Sequence, residues 1–474
     1  MNLIAAFLDS ASRRQEQAAI IDANGRSVTF ARLVEASASL AAAYRQEGLQ
    51  PGDRVLLAMP IGIDLYVALA ALWRIGAVVV FPEPALGLRG LKHAVRITRP
   101  RAFLASGWYR LLRFIVPEFR SGTLALTPFL RRQPDDAIAE LDGDHPALVS
   151  FTSGSTGMPK TIVRSHAFLA AQNDCVASLL RPVSRTEIDL VAFPVFVIAN
   201  LGMGVTSVLP DWNVKDPGRA DPDRIARHLR RHGVTRALIP PAICERLLLA
   251  RDLPPLSAVF TGGGPVFPDV IEALAGRFPA AEIVAVYGST EAEPIAHLHH
   301  RDVQAEDWRA MRDGKGLLAG RPIPEIELKI IDDEIVVTGD HVNKGYLDPS
   351  HDIANKVMID GRIWHRTGDA GRLDEAGRLW LLGRHEARVG TLYPFALEVA
   401  ARGWPGVRRA ALLAIEGKAV LAVEGDGREI ERWRERAAAF DVDTVRWVGR
   451  LPLDRRHGSK IDYTVLRDMV AAER

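Results

Sequence analysis

Cysteine is almost absent from this chain: Cys175 and Cys244 are the only two in 474 residues. Two thiols that far apart make neither a disulfide framework nor a zinc site, so a reducing cytoplasm is the default setting. Long charge-free apolar runs are missing too. The best candidate, 63–81, is interrupted by Asp64 and Arg74, so no membrane span is expected. Charge of one sign is also lacking: the net charge is +2, which excludes nucleic-acid binding through bulk electrostatics. No repeat or low-complexity tract is present. His166, His297 and His365 lack metal-ligand spacing and read as structural or substrate-lining. The first 17 residues carry Leu3, Ile4, Phe7 and Leu8 but no basic start, which describes a short amphipathic helix rather than a secretion signal.

What is present is a globular composition, 48% hydrophobic and 25% charged, on a chain too long for one ordinary domain. Strand-like and helix-like runs alternate: Asp53–Met59, Asp64–Ile75 and Ala77–Phe81, then Arg224–His232, Ala237–Ile239, Ala258–Thr261 and Glu282–Tyr287. That alternation predicts an α/β fold, with a large body of parallel-rich sheets and helical crossovers. From about Arg384 the pattern changes to hairpin strands around Glu416-Gly417, a helix over 429–439 and a closing helix from Asp462. The expected division is a body over 1–383 and a small, mobile α+β unit over 384–474. Trp108–Phe114 mixes aromatics with Arg110 and Arg113; it reads as a sheet-covering helix, with contact to a lipid surface as the alternative.

One loop carries the most chemistry. Thr152-Ser153-Gly154-Ser155-Thr156-Gly157-Met158-Pro159-Lys160 follows the apolar run 147–151 and holds four hydroxyls, two glycines and a lysine. Glycines admit close backbone approach, hydroxyls donate, and lysine adds a compact positive charge, as a triphosphate cradle requires. Its spacing is not that of the P-loop. The plain alternative is a flexible Ser/Gly connection.

Four further segments follow the loop in order: Tyr287-Gly288-Ser289-Thr290-Glu291, Trp364-His365-Arg366-Thr367-Gly368-Asp369, Gly383-Arg384, and Lys460, fourteen residues from the C-terminus. Together they resemble the adenylate-forming superfamily of acyl-CoA synthetases, peptide-synthetase adenylation domains and luciferases, over nearly the whole chain. The resemblance implies attack of a carboxylate on the α-phosphate of ATP, giving an acyl-adenylate and pyrophosphate. It further implies that Lys160 with Thr152, Ser153, Ser155 and Thr156 holds the β- and γ-phosphates, and that Thr290 contacts the α-phosphate. Glu291 would hold Mg²⁺. Tyr287 would stack on adenine, with Gly262, Gly263, Gly264 and Pro265 as the opposite wall and Gly288 and Ser289 in the turn between. Asp369 would bind the ribose hydroxyls with Arg384 beside it, and Lys460 would bridge carboxylate and α-phosphate.

The segments around and after the hinge bear on the fate of the adenylate. Thioester-forming members carry a Gly-rich stretch after the hinge, shortened here to Arg384–Leu392, which argues against CoA as acceptor; Gly390 is the one possible substitute. Leu392-Tyr393-Pro394, Arg455–Ile461, Phe193-Pro194 and Leu201–Gly204 are similar to the bacterial β-lactone synthetases of olefin pathways. There a 3-hydroxy acid, once adenylated, is closed by its own hydroxyl with release of AMP. Transfer to CoA or to the phosphopantetheine of a carrier protein is the alternative, and a non-catalytic adenylate-binding protein a remote one. Phe193, Phe196, Val197, Asn200, Leu201, Met203 and Gly204 are the expected acyl-pocket residues, an apolar set that suits a fatty acid better than an amino acid. Asp189 and Asp211 are the only candidate partners for an α-amine.

Overall fold

The computed structural model describes residues 2–472 except 83–86, 120–122, 153–158, 183–185 and 455–458. Its elements sort into three sheets. The first has six strands in the order Leu124–Leu126, Ala102–Ala105, Arg54–Ala58, Val78–Phe81, Pro146–Thr152 and Lys160–Ser165. All neighbours are parallel except the last pair, in which Thr152 faces Lys160. Helix Phe30–Gln46 leads into the sheet from outside it, and helices Ile63–Ile75 and Gly87–Thr98 make crossovers between its strands. Thr29 begins the first of them by accepting a hydrogen bond from the Arg32 amide, as its place before an apolar-periodic run predicts. Helix Ile63–Ile75 is buried on nearly every side, and its Arg74 is held inside by Ser37 Oγ at 3.1 Å. The apolar run is therefore core, and no helix among the described residues is long and apolar enough to cross a membrane.

The second sheet has fourteen strands. Its parallel part runs from Ala18–Ile21 through Thr206–Val208, Ile188–Val191, Arg236–Ile239 and Ala258–Gly262 to Glu282–Ser289. From there it turns antiparallel through Ala292–His299 and Leu317–Pro322 to Leu379–Arg384 and Arg362–Leu373. Parallel strands buried on both faces need continuous apolar sequence, as Ala-Leu-Ile and Ala-Val-Phe supply at 237–239 and 258–260. The third sheet, Val407–Ile415, Lys418–Gly425 and Thr444–Val448, lies in the C-terminal part. Its hairpin turns at Glu416 and Gly417, both at positive φ. Arg402 ties this part to the body through Asp269 at 2.6 Å and Glu245 at 3.4 Å, and Arg409 reaches the same Glu245.

Two segments depart from their sequence reading. Gly288 and Ser289 are not in a turn: the strand expected to end at Tyr287 runs on as Glu282–Ser289, turns at Thr290 and Glu291, and returns as Ala292–His299. Trp108–Phe114 is not a sheet-covering helix either. It divides into a 3₁₀ turn, Gly107–Leu111, and a single helical turn, Leu112–Ile115, with no buried residue in either.

Candidate active site

Strand ends and hairpin tips deliver the motif residues to one region. Tyr287, near the end of its strand, donates its hydroxyl to Asp369 Oδ2 at 2.8 Å. The Arg384 guanidinium is 3.2 Å from Asp369 Oδ1 and donates to the Thr367 carbonyl. The Arg366–Asp369 part of strand Arg362–Leu373 is anchored by buried Glu334, which accepts from Arg366 Nε at 2.7 Å and the Gly368 amide at 3.0 Å. Burial and the Asp369 carboxylate push the Tyr287 phenol well above its usual range, so it stays a donor. Asp369 in turn raises Arg384, whose positive charge is thereby fixed beside it.

A second cluster surrounds Glu291. Tyr346, on the segment after Thr338, donates to Glu291 Oε1 at 3.1 Å. Two ammonium groups face the Tyr346 ring, Lys356 Nζ at 5.2 Å and Lys160 Nζ at 5.8 Å from its centroid. Lys160 is held by Asn355 Oδ1 at 2.7 Å; Lys356 donates to the Asn343 carbonyl and lies 3.3 Å from His365 Nδ1. Burial and Lys356 push His365 down to about 4, so it is neutral at pH 7. Burial also lowers Lys356 to about 8, against the opposing pull of Glu291 and Asp352. Burial alone would raise Glu291, but His365, the Tyr346 hydroxyl, its own amide and Lys356 outweigh it and hold the carboxyl below its usual range. A carboxyl held below its usual range is ionised at pH 7. Ser289 Oγ is buried with no partner among the described residues, a polar atom left for something else to satisfy.

This donor set fits a magnesium–nucleotide complex. Among the described residues no group of three or more His, Cys, Asp or Glu could hold a metal alone. One ionised carboxylate suits a hard cation that completes its shell with phosphate and water oxygens. Thr290 supplies its carbonyl to Arg164 Nη2 at 2.7 Å, which fixes the turn. Ser153, Gly154, Ser155, Thr156 and Gly157 lie outside the described residues, as does the Thr152 side chain.

The glycine wall meets Lys460 directly. A Cβ on Gly262 would come within 2.7 Å of the Val286 carbonyl, and one on Gly264 within 2.8 Å of Ser459 Cβ and 3.9 Å of Lys460 Cγ. Strand Ala258–Gly262 can thus hug its neighbour, and the Lys460 segment can lie on Gly264, only because both lack side chains. Asp454 sets that segment by accepting from the Ser459 and Lys460 amides.

The expected acyl-pocket residues separate. Phe193 and Phe196 line a recess with Phe260, Gly262 and Gly263, and Met203 packs on the cluster behind it. Val197 and Leu201 turn the opposite way, into the core under helix Ile4–Arg13. Asn200 is buried against Asp189 and Ser207, and Gly204 ends the helix in a left-handed turn against Arg14. One helix cannot show seven consecutive-range positions to one cavity; its opposite stripe must pack. Val176, Leu180 and Leu238 complete the recess, apolar positions that nothing in the sequence distinguishes from core. Asp189 is locked to Arg236 at 2.7 and 2.8 Å, and Asp211 to Arg224 at 2.9 Å. Neither is left to anchor an amine.

The chain belongs to the AMP-binding enzyme family, whose family model matches residues 7–347. It is similar to an olefin β-lactone synthetase of Stenotrophomonas maltophilia, 29% identical over 94% of this chain and 91% of the relative. A feruloyl-CoA synthase of an Amycolatopsis species is 30% identical over 93% and 94%. The solved structure of ATP-bound MatB from Rhodopseudomonas palustris superposes with a TM-score of 0.83 at 22% identity, covering 99% of both chains, which establishes the fold. The protein is therefore an ATP-dependent, adenylate-forming enzyme acting on a small-molecule acid.

Proposed function

We propose that this enzyme activates an apolar 3-hydroxy acid as its acyl-adenylate and then closes it to a β-lactone, releasing AMP. The observation that carries the second step lies after Arg384. Val389 and Leu392 exchange both backbone hydrogen bonds, at 2.8 and 2.9 Å, so Gly390 and Thr391 form a two-residue turn. A turn closed on itself leaves little backbone to line a channel for a phosphopantetheine arm. The full-length likeness to a β-lactone synthetase supports the same reading.

In the first step the pyrophosphate end of ATP lies along Lys160, Thr152, Ser153, Ser155 and Thr156, with Lys356 as a second ammonium. Glu291 holds Mg²⁺, which supplies charge neutralisation on the phosphoryl oxygens. Adenine stacks on Tyr287 against Gly262–Pro265, and Asp369 takes the ribose hydroxyls while Arg384 fixes its charge. Thr290 and Lys460 face the α-phosphate, Lys460 drawing the substrate carboxylate toward phosphorus. Residues 384–474 act as a lid over 1–383, and the acyl chain enters the recess at Phe193, Phe196 and Phe260. In the second step the C3 hydroxyl oxygen attacks the activated carbonyl and gives up its proton to solvent, the acyl–phosphate C–O bond breaks, and AMP leaves with that electron pair. Holding both groups in one molecule replaces a bimolecular encounter, which is worth several powers of ten in effective concentration.

Thioester formation, with CoA or a carrier protein as acceptor, is the second reading; the likeness to a feruloyl-CoA synthase favours it. Incubation with ATP, Mg²⁺ and a panel of acids, with and without CoA, separates the two. Lactone and AMP from 3-hydroxy acids are expected; a CoA thioester without any lactone would falsify the proposal. Lys460→Ala is expected to cut pyrophosphate exchange by about 10²–10³-fold with unchanged unfolding.

A further inference from the structure

An acid-free stretch of sequence forms a face that the adenylation chemistry does not use. Residues 87–117 contain seven Lys and Arg and no Asp or Glu, in a chain whose net charge is only +2. All seven are exposed, and none forms an ion pair with a described residue. Arg89, Lys92 and Arg96 follow one another at helical spacing along the outer side of helix Gly87–Thr98, whose Leu91, Ala94 and Val95 pack inward. The segment Gly107–Ile115 rests on the same buried cluster through Tyr109 and Leu112.

What this segment presents outward is unusual for a water-facing surface. Trp108 is 63% exposed, Leu111 and Phe114 57%, and Ile115 52%, within eight residues. Single exposed apolar residues are ordinary, but a contiguous set marks a contact surface. The Trp108 ring stacks on Tyr109 at 4.0 Å and Arg113 lies 4.9 Å over Phe114, so cations and rings are interleaved. Large apolar tips among arginines are the composition of a membrane-interface element, whose rings sit at headgroup level and whose cations meet phosphates.

We propose that this face docks the enzyme on an anionic phospholipid bilayer, with Trp108, Leu111, Phe114 and Ile115 entering the headgroup–acyl boundary and the arginines on lipid phosphates. A second copy of the chain is a poor occupant, because a two-fold contact sets the same cations against one another. A polyanion such as single-stranded nucleic acid would use the arginines and stack on Trp108, but has no use for Leu111 and Ile115.

Flotation of the full chain with vesicles tests the assignment. Binding is expected to phosphatidylcholine vesicles containing phosphatidylglycerol, to weaken as salt is raised, and to be absent with phosphatidylcholine alone. Arg110→Glu with Arg113→Glu should lower the partition by on the order of thirtyfold or more, and Trp108→Ser with Phe114→Ser should abolish it. Both variants alter exposed side chains and are expected to keep the wild-type unfolding midpoint and pyrophosphate exchange on a water-soluble acid. Equal binding to both vesicle types, binding to neither, wild-type partition by the variants, or a dimer that either variant dissociates would each overturn the proposal.

Discussion

Glu398 offers a sharp test of the forces inside the C-terminal part. It lies on helix Pro394–Arg402, is 1% exposed, and accepts from the Tyr463 hydroxyl at 2.6 Å and the Leu412 amide at 2.9 Å. Burial raises its carboxyl from 4.5 to about 7, against the pull of those two hydrogen bonds. No cation among the described residues contributes. The folded state therefore binds this proton more tightly than the unfolded chain does. Its contribution to stability is fullest below about pH 4.5 and is lost as the pH rises to about 7, above which the loss levels off. The whole change is worth about 3 kcal/mol, of which about 2.5 kcal/mol falls between pH 5 and 8.

Glu398→Gln isolates this effect. The amide oxygen still accepts from Tyr463 and Leu412 but cannot ionise. Urea unfolding of both proteins from pH 5 to 8 should show the wild type losing about 2.5 kcal/mol relative to the variant. Parallel pH profiles would refute the reasoning, since they would mean that water or a countercharge keeps Glu398 at an ordinary value. Tyr463 lies three residues past Lys460, so the same ionisation bears on how firmly that lysine's segment is held.

Lys356→Met should raise KM for ATP in the forward reaction and for pyrophosphate in exchange by about 10–100-fold, the worth of a charge-assisted hydrogen bond, with Lys356→Arg recovering part of it. A lower melting temperature at unchanged KM would instead make Lys356 only a structural countercharge to Glu291. Gly264→Ala places a methyl 2.8 Å from Ser459 Cβ. It should slow adenylation by about a hundredfold while leaving unfolding unchanged, because a misplacement of about 1 Å is enough; full activity would show that Lys460 does not work from beside Gly264. Asp189→Ala leaves the buried Arg236 guanidinium without its bidentate partner and should cost about 3–5 kcal/mol in urea unfolding. Its preference among acids should not change; a new preference would return Asp189 to the substrate pocket.

The division between what was legible in the sequence and what was not follows from the range of the interactions. Strands such as Ala258–Gly262 and the hairpin at Glu416-Gly417 announce themselves through local apolar runs and turn residues. Asp369, Tyr287 and Arg384 were legible as motif members, but not the bond between Tyr287 and Asp369, which spans 82 residues. The recess failed differently. Phe196 and Val197 are adjacent on one helix, and only tertiary packing decides that the first reaches the recess as well as the core while the second is buried in the core alone. Trp108–Phe114 carries the composition of a packed amphipathic helix, yet its glycine start and early break into a 3₁₀ turn leave it little to pack against.

Lys356 shows the deepest limit. It is one lysine in a polar stretch, and nothing within several residues of it marks a phosphate site. Its importance comes from Tyr346, which the backbone bonds between Leu347 and Thr161 and between Asn343 and Glu291 pin between the Lys160 strand and the Glu291 turn. Once that ring is fixed, Lys160 and Lys356 both face it, and Glu291 is tied to its hydroxyl. Around that ring the two ammonium groups meet two carboxylates, Glu291 and the Asp352 that accepts from the Tyr346 amide at 2.9 Å. An incoming magnesium–triphosphate would bring a cation for Glu291 and negative charge for Lys160 and Lys356 together, so both signs of the cluster would be met in one event.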